Sequence, residues 1–293
     1  MEFRTIVDIP KPGFEMAPCE EVLLVGSCFA NEVGQRFREE GFPVTVNPYG
    51  TMYNPVSVLH TVERLMSAGS NLQSAGSFKT VFLTLGTNHV YREKATGEIV
   101  DNCEKRPAAL FQEEVLSMDE CADYLQRTVA LLRSANPTVR IVFTVSPIRY
   151  RKYGYHESQL SKATLLLAID KLLHSPFDGK SPKAAADSSL STLHSSLYYF
   201  PVFEVFMDEL RDYRFYAADM LHPSEQAVDY VWERLVETFF SSQAKAFLEE
   251  WRPLKQALAH RPFNPDSAAY KALMDKTMLK VTELRKKYPT FAL

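Results

Sequence analysis

Acyl transfer needs three groups: a nucleophile for the carbonyl, an imidazole to carry its proton, and a carboxylate to orient the imidazole. The sequence offers Ser27, His222 and Asp219 for these parts. Ser27 follows Gly26 at the end of the apolar run Val22-Leu23-Leu24-Val25. Beyond it Phe29, Val33 and Phe37 recur every four residues, as on one face of a helix. Ser27 therefore stands on a strand-to-helix turn. It reads there either as an N-cap or as a nucleophile at the positive end of a helix, where free N–H groups favour a developing oxyanion. His222 lies in Asp219-Met220-Leu221-His222-Pro223-Ser224, just before an apolar-periodic stretch at 224–240. A tight turn can set the Asp219 carboxylate on one ring nitrogen and leave the other facing a nucleophile. A capping or packed histidine is the plainer reading.

Two further residues could complete an oxyanion hole with the N–H of Ser27. Gly50, in Pro48-Tyr49-Gly50, could offer its backbone N–H, or simply make a turn. Asn88, in Gly86-Thr87-Asn88, could offer its amide, or make an Asx-turn. Cys28 brings a thiol to the same turn as Ser27, although a small buried cysteine is the simpler expectation. His89 and Tyr91 could line a pocket. Arg149 and Lys162 could meet an anionic substrate, or serve as ordinary solvated cations.

These residues need elements to bring them together. Short apolar runs at 22–25, 42–46, 80–85, 139–145 and 198–205 read as strands. Helical periodicity appears at 56–68, 119–134, 158–174 and 224–240, and a hairpin at 91–103 turns around Thr96-Gly97. The stretch 175–191, rich in Ser, Pro, Ala and Gly, reads as a surface loop or mobile insertion. The tail from Ala244 to Lys287 looks helical, with a break near Arg261-Pro262-Phe263-Asn264-Pro265. Strands alternating with helices predict a parallel α/β sheet. Ligands of such sheets bind at the carboxyl ends of the strands, which points to loops 26–28, 47–55, 86–91, 146–152 and 217–224.

Composition narrows the function. The chain has 293 residues, 46% hydrophobic and 24% charged, with 33 basic and 36 acidic side chains for a net charge of −3. A broad cationic face is excluded as the main feature, so nucleic acid and anionic membrane are poor first partners. The four cysteines form no CxxC, and the seven histidines form no HExxH, so no metal site is expected. No GxGxxG, GxxxxGK[ST] or GxSxG occurs. No secretory leader and no long apolar span is seen, and a cytoplasmic location with reduced thiols is expected.

A serine after strand one, a glycine after strand two, G-x-N after strand three and D-x-x-H before the last helix fall in that order on one sheet edge. This order resembles the SGNH, or GDSL-like, hydrolases. Within them, Gly26-Ser27-Cys28-Phe29-Ala30 resembles the signature of the GSCFA family. Asn47-Pro48-Tyr49-Gly50, Tyr53-Asn54-Pro55, Thr144-Val145-Ser146-Pro147, Ser161-Lys162 and Tyr199-Phe200-Pro201 look like the same family. Glu104 follows Asn102-Cys103 where members often carry histidine, so 102–105 receives no catalytic role. The resemblance spans about residues 20–240. It implies a three-layer α/β/α sandwich with a five-stranded parallel sheet of flavodoxin-like order over 1–242, and a helical extension over 243–293 packed on the same domain. It also implies a serine hydrolase acting on ester-linked acyl groups, with acylated sugars as a substrate class, and no cofactor. The alternatives are an acyltransferase with the same triad and a non-catalytic binding module on the same fold.

Overall fold

The structure is a computed structural model and describes residues 4–67, 77–174 and 196–293. The expected loop or insertion at 175–191 lies outside the described residues. The strands are β1 (Val22–Gly26), β2 (Val44–Val46), β3 (Thr80–Leu85), β4 (His89–Glu93), β5 (Ile99–Val100), β6 (Phe111–Val115), β7 (Arg140–Val145) and β8 (Leu197–Tyr199). The long helices are α1 (Cys28–Glu39), α2 (Pro55–Ser67), α3 (Met118–Ala135), α4 (Tyr155–His174), α5 (Glu225–Phe239), α6 (Ser242–Ala259) and α7 (Ala268–Lys287).

Five strands form one parallel sheet in the order β2-β1-β3-β7-β8, the flavodoxin-like order expected. The period of two along each strand divides its side chains between two faces. Val22 and Leu24 of β1, Phe82 of β3 and Val142 of β7 join Phe29, Val33 and Phe37 of α1 and Val228, Val231 and Leu235 of α5. Leu23, Val25, Leu83 and Phe143, on the opposite face, meet Val58 and Val62 of α2, Leu125 and Val129 of α3, and Leu165 and Ile169 of α4. The result is three layers. Because β1 and β3 lie side by side while β2 flanks β1 outward, the strand order reverses between their carboxyl ends, where α/β sheets bind ligands.

The extension also joins the first of these clusters. Phe247, Trp251 and Leu254 of α6 and Val281 and Leu284 of α7 share it with Phe37 and Phe42. Met16 and Phe240 form a parallel bridge that brings the N-terminal segment to the end of α5.

Two elements differ from the sequence reading. The run 198–205 is strand only to Tyr199. Phe200 N–H still bonds Phe143 O at 2.9 Å, but Pro201 has no N–H to continue the ladder. Residues Val202–Glu204 and Val205–Glu209 turn helical, with a π-type turn, and bury Val202, Val205 and Phe206. The hairpin of β4 and β5 pairs Tyr91 with Val100, and a further strand, β6, lies along β4. Its sequence Phe-Gln-Glu-Glu-Val has a polar middle and little strand propensity. Polar side-chain pairs along the ladder hold it: Arg92 grips Glu114 through two nitrogens at 2.9 and 3.0 Å, and His89 hydrogen-bonds Glu113 at 3.0 Å.

Candidate active site

The end of β1 is tightly built. Gly26 has φ +152°, and a Cβ there would lie 2.1 Å from Thr84 O, so only glycine lets β1 and β3 approach this closely. Its N–H donates to Asn47 Oδ1 at 2.8 Å, and its carbonyl accepts from Met52 N–H at 2.8 Å. Gly86 and Thr87, after β3, both donate to Tyr53 O at 2.8 and 2.9 Å. The loop after β2 is thereby clamped between the ends of β1 and β3.

Within this frame Ser27 is enclosed. It is 1% exposed, and its Oγ has no hydrogen-bond partner. Its N–H extends the β1 ladder by donating to Thr84 O at 2.9 Å. Cys28, the first residue of α1, is half-buried, with Sγ 3.4 Å from the Tyr53 hydroxyl.

Asp219 and His222 are brought together as the motif suggests. His222 Nδ1 lies 2.5 Å from Asp219 Oδ2, while Asp219 Oδ1 accepts from the N–H groups of Leu221 at 2.8 Å and His222 at 3.0 Å. Those donors, with the ring contact, hold the carboxyl well below the usual carboxylate range. The turn is closed by Ala217 N–H on His222 O at 2.8 Å and is joined to the loop after β7 by Arg149 N–H on Leu221 O at 3.2 Å. No hydrogen bond joins Ser27 Oγ to His222.

The three expected oxyanion donors have other partners. Besides the Ser27 N–H, the Gly50 N–H donates to Asn47 O at 2.9 Å within an exposed turn of φ +97°, with open space around it. Asn88 Nδ2 donates to Leu116 O at 2.7 Å, and its own N–H to Ser161 Oγ at 3.0 Å, so it joins β4 to the end of β6 and to α4.

His89 and Tyr91 do line a cavity, of about 620 Å³, at this sheet edge. Three tyrosines share it with them. Tyr53 packs edge-on to Tyr150 at 5.8 Å, Tyr150 stacks on Tyr153 at 5.0 Å, and Tyr153 stacks on His89 at 3.7 Å. Tyr91 and Tyr153 share a hydroxyl contact at 2.9 Å, and Lys152 reaches Tyr91 Oη. Asn54, Arg106 and Glu113 add polar groups to the wall. Tyr150 and Tyr153 were missed in the sequence, where Arg149 of the same loop drew attention. Their signal was three aromatics in six residues after a strand end.

Arg149 lies instead over the Tyr216 ring at 4.0 Å, beside a separate depression of about 360 Å³; its Nε and Nη2 are buried without partners. Lys162 is not solvated. It is 2% exposed, and Nζ donates to Gly86 O at 2.7 Å. Burial pushes its ammonium down to about 7, against a smaller opposing pull from Cys28. Among the described residues no group of three or more His, Cys, Asp or Glu could hold a metal, and no helix is long and apolar enough to cross a membrane.

The structure is similar to a family two carbohydrate esterase from Clostridium thermocellum (TM-score 0.43, 10% identity, 80% of this chain and 66% of that one). It is similar to the acetyl xylan esterase Est2A from the rumen bacterium Butyrivibrio proteoclasticus (TM-score 0.42, 9% identity, 76% and 64%). A family 3 carbohydrate esterase from Talaromyces cellulolyticus also matches (TM-score 0.39, 10% identity, 79% and 99%). The chain spans just under two thirds of the first two. At this distance no activity is carried over from them. No curated protein matches the chain. In sequence, the model of the GSCFA family matches residues 21–80 and 70–235, and that of the GSCFA domain protein, C-terminal domain, matches residues 251–293. With most of its length so matched, including the Gly26-Ser27-Cys28 turn and the Asp219–His222 loop, this chain belongs to the GSCFA family.

Proposed function

We propose that the protein hydrolyses an ester-linked acyl group, with His222 as general base and then general acid, Asp219 as its orienting residue, and a nucleophile from the Ser27-Cys28 turn. The observation that carries this reading is the Asp219–His222 pair, locked in its own turn at the carboxyl edge of the sheet. A carboxylate on Nδ1 selects the tautomer whose Nε2 accepts a proton, and it stabilises the imidazolium that forms.

In the first half-reaction the nucleophile adds to the ester carbonyl as His222 takes its proton. Collapse breaks the C–O bond, and the alcohol leaves with that proton. In the second half-reaction a water molecule, deprotonated by His222, adds to the acyl-enzyme. The acid is released and the nucleophile regains its proton. Helix N-terminal N–H groups, which lack intrahelical acceptors, favour the oxyanion in both halves. The steps need no cofactor. Acylated sugars are the substrate class we favour, because the cavity combines stacked aromatic faces with convergent polar groups.

The test is hydrolysis of p-nitrophenyl acetate and of acetylated oligosaccharides. We expect His222→Ala to lower kcat/KM by roughly 10²–10⁴-fold. Asp219→Asn should lower kcat by a comparable factor with little change in KM, since it disturbs the base and not the binding. Full activity in folded His222→Ala would end this reading.

A further inference from the structure

Resting on that reading, we infer that the depression at Arg149 is a subsite for a carboxylate carried by the substrate. Arg149 reaches the depression from the loop after β7. Its Nε and Nη2 are buried and have no hydrogen-bond partner. These two nitrogens form one edge of the guanidinium, whose parallel N–H bonds match the two oxygens of a carboxylate. Three rings lie around the group, Tyr216 at 4.0 Å, Tyr155 at 5.3 Å and Tyr213 at 5.9 Å. Ring faces attract the charge, but they do not replace an oxygen acceptor, and a buried donor left without one is costly. Tyr155 and Tyr213 are both exposed, so they can turn aside and open this edge to a ligand.

The other walls of the depression select the kind of anion. Phe206 and Leu210 line it with buried apolar side chains, which suits a carboxylate on a carbon skeleton better than a fully hydrated inorganic ion. Asp208, Arg211 and Asp212 line it as well. Asp212 is engaged by Arg214, through the backbone N–H at 2.9 Å and Nη2 at 3.0 Å. Neither aspartate supplies an acceptor to Nε or Nη2 of Arg149. Two acidic neighbours repel a phosphate dianion twice as strongly as a carboxylate, so the singly charged group is favoured.

The depression is built on the same backbone as the Asp219–His222 turn. Arg149 N–H donates to Leu221 O at 3.2 Å. Tyr216, whose ring lies nearest the guanidinium, pairs antiparallel with Pro223. The next residue, Ala217, donates its N–H to His222 O at 2.8 Å. A carboxylate on Arg149 is thus held to the segment that carries the base. Tyr150, Lys152 and Tyr153 of the same loop line the larger cavity. One short stretch, 149–153, therefore contributes to both recesses, the anion-binding edge to one and stacked rings to the other.

The experiment reads binding and turnover separately on the full chain. For a carboxylate on the sugar, calorimetry compares methyl galacturonoside with methyl galactoside, and acetate release compares acetylated oligogalacturonate with its methyl ester. For a carboxylate on the acyl chain, calorimetry compares the monoamide of adipic acid with the diamide, and p-nitrophenol release compares mono-p-nitrophenyl adipate with its methyl ester. Wild type is set beside Arg149→Met and Arg149→Lys, each checked for folding by circular dichroism. We expect the carboxylate member of one series to bind, and to react in kcat/KM, at least about tenfold better than its neutral partner. The series that shows this names the source. Arg149→Met should bring the ratio to within about twofold, and Arg149→Lys, which keeps the charge and loses the fork, should recover only part of it. An Arg149 that only packs would lower charged and neutral esters alike and leave the ratio unchanged. Equal binding and turnover within both series, or a preference that survives Arg149→Met, overturns the inference and leaves the esterase intact. Preferential carboxylate binding that is lost in Arg149→Met, with no ester hydrolysed, keeps the subsite and ends the esterase reading.

Discussion

At the scale of single residues, Lys162 carries the clearest titration signature. Burial lowers its folded-state value to about 7 from the ordinary lysine value of 10.5. Between those limits the unfolded chain binds a proton that the folded chain does not, so ν_U exceeds ν_N and unfolding free energy rises with pH. Below pH 7 both states are protonated, and the folded state bears the full cost of a buried charge. We predict that from pH 7 to pH 8.5 wild type gains stability relative to Lys162→Met, by up to about 1.4 kcal/mol per pH unit. Urea denaturation of the two proteins at matched pH measures this, and a flat difference would show that Lys162 is solvated. The sequence hid this lysine. Ser161-Lys162 read as a helix start whose lysine meets an anionic substrate or solvent, whereas α4 begins at Tyr155 and puts Lys162 on its inward face. The Asp219–His222 pair was legible because three residues suffice to close an Asx-type turn. The partners that Ser27 N–H, Gly50 N–H and Asn88 Nδ2 take here were not legible, because they depend on what the neighbouring strand and loops present.

Elements were legible in proportion to how completely they are buried. Each of the central strands β1, β3 and β7 is built on a buried apolar run followed by Gly or by Ser-Pro, and each falls within a residue or so of its expected place. The strand β6 escaped because its stability comes from cross-strand pairs with β4, and pairing partners are not visible along one strand. At β8 a continuous apolar stretch concealed a change from strand to helix, and only Pro201 marked it. The turn after β1 makes a second prediction. An alanine Cβ at Gly26 would meet the Thr84 carbonyl, which is fixed in the ladder and cannot yield. Gly26→Ala should cost at least ~2 kcal/mol, read as a lower urea midpoint at unchanged slope. It should also reduce hydrolysis in the fraction that folds, since the turn is displaced with β1. Wild-type stability in this variant would mean that β1 and β3 are not so closely joined.

For the molecule as a whole, the C-terminal helices complete the α1 side of the core. Trp251 is 3% exposed, donates its indole N–H to Glu39 O at 2.9 Å and lies 4.9 Å from the Phe291 ring. Trp251→Ala should destabilise by about 3–5 kcal/mol, with kcat retained in the folded fraction because the contact is on the face away from the cavity. Differential scanning calorimetry with parallel activity assays checks both parts, and a loss of kcat without a loss of stability would contradict this separation. The division of the core into two clusters also has a consequence for the chain while it is being made. The α2–α3–α4 face can close once β8 and the helical turn after it have left the ribosome, at about residue 203. The opposite face has α1 early but waits for α5, α6 and α7, the last of which ends at Lys287. A nascent chain therefore carries one finished wall and one open apolar wall until α7 has emerged, and that open wall is where a chaperone would bind during translation.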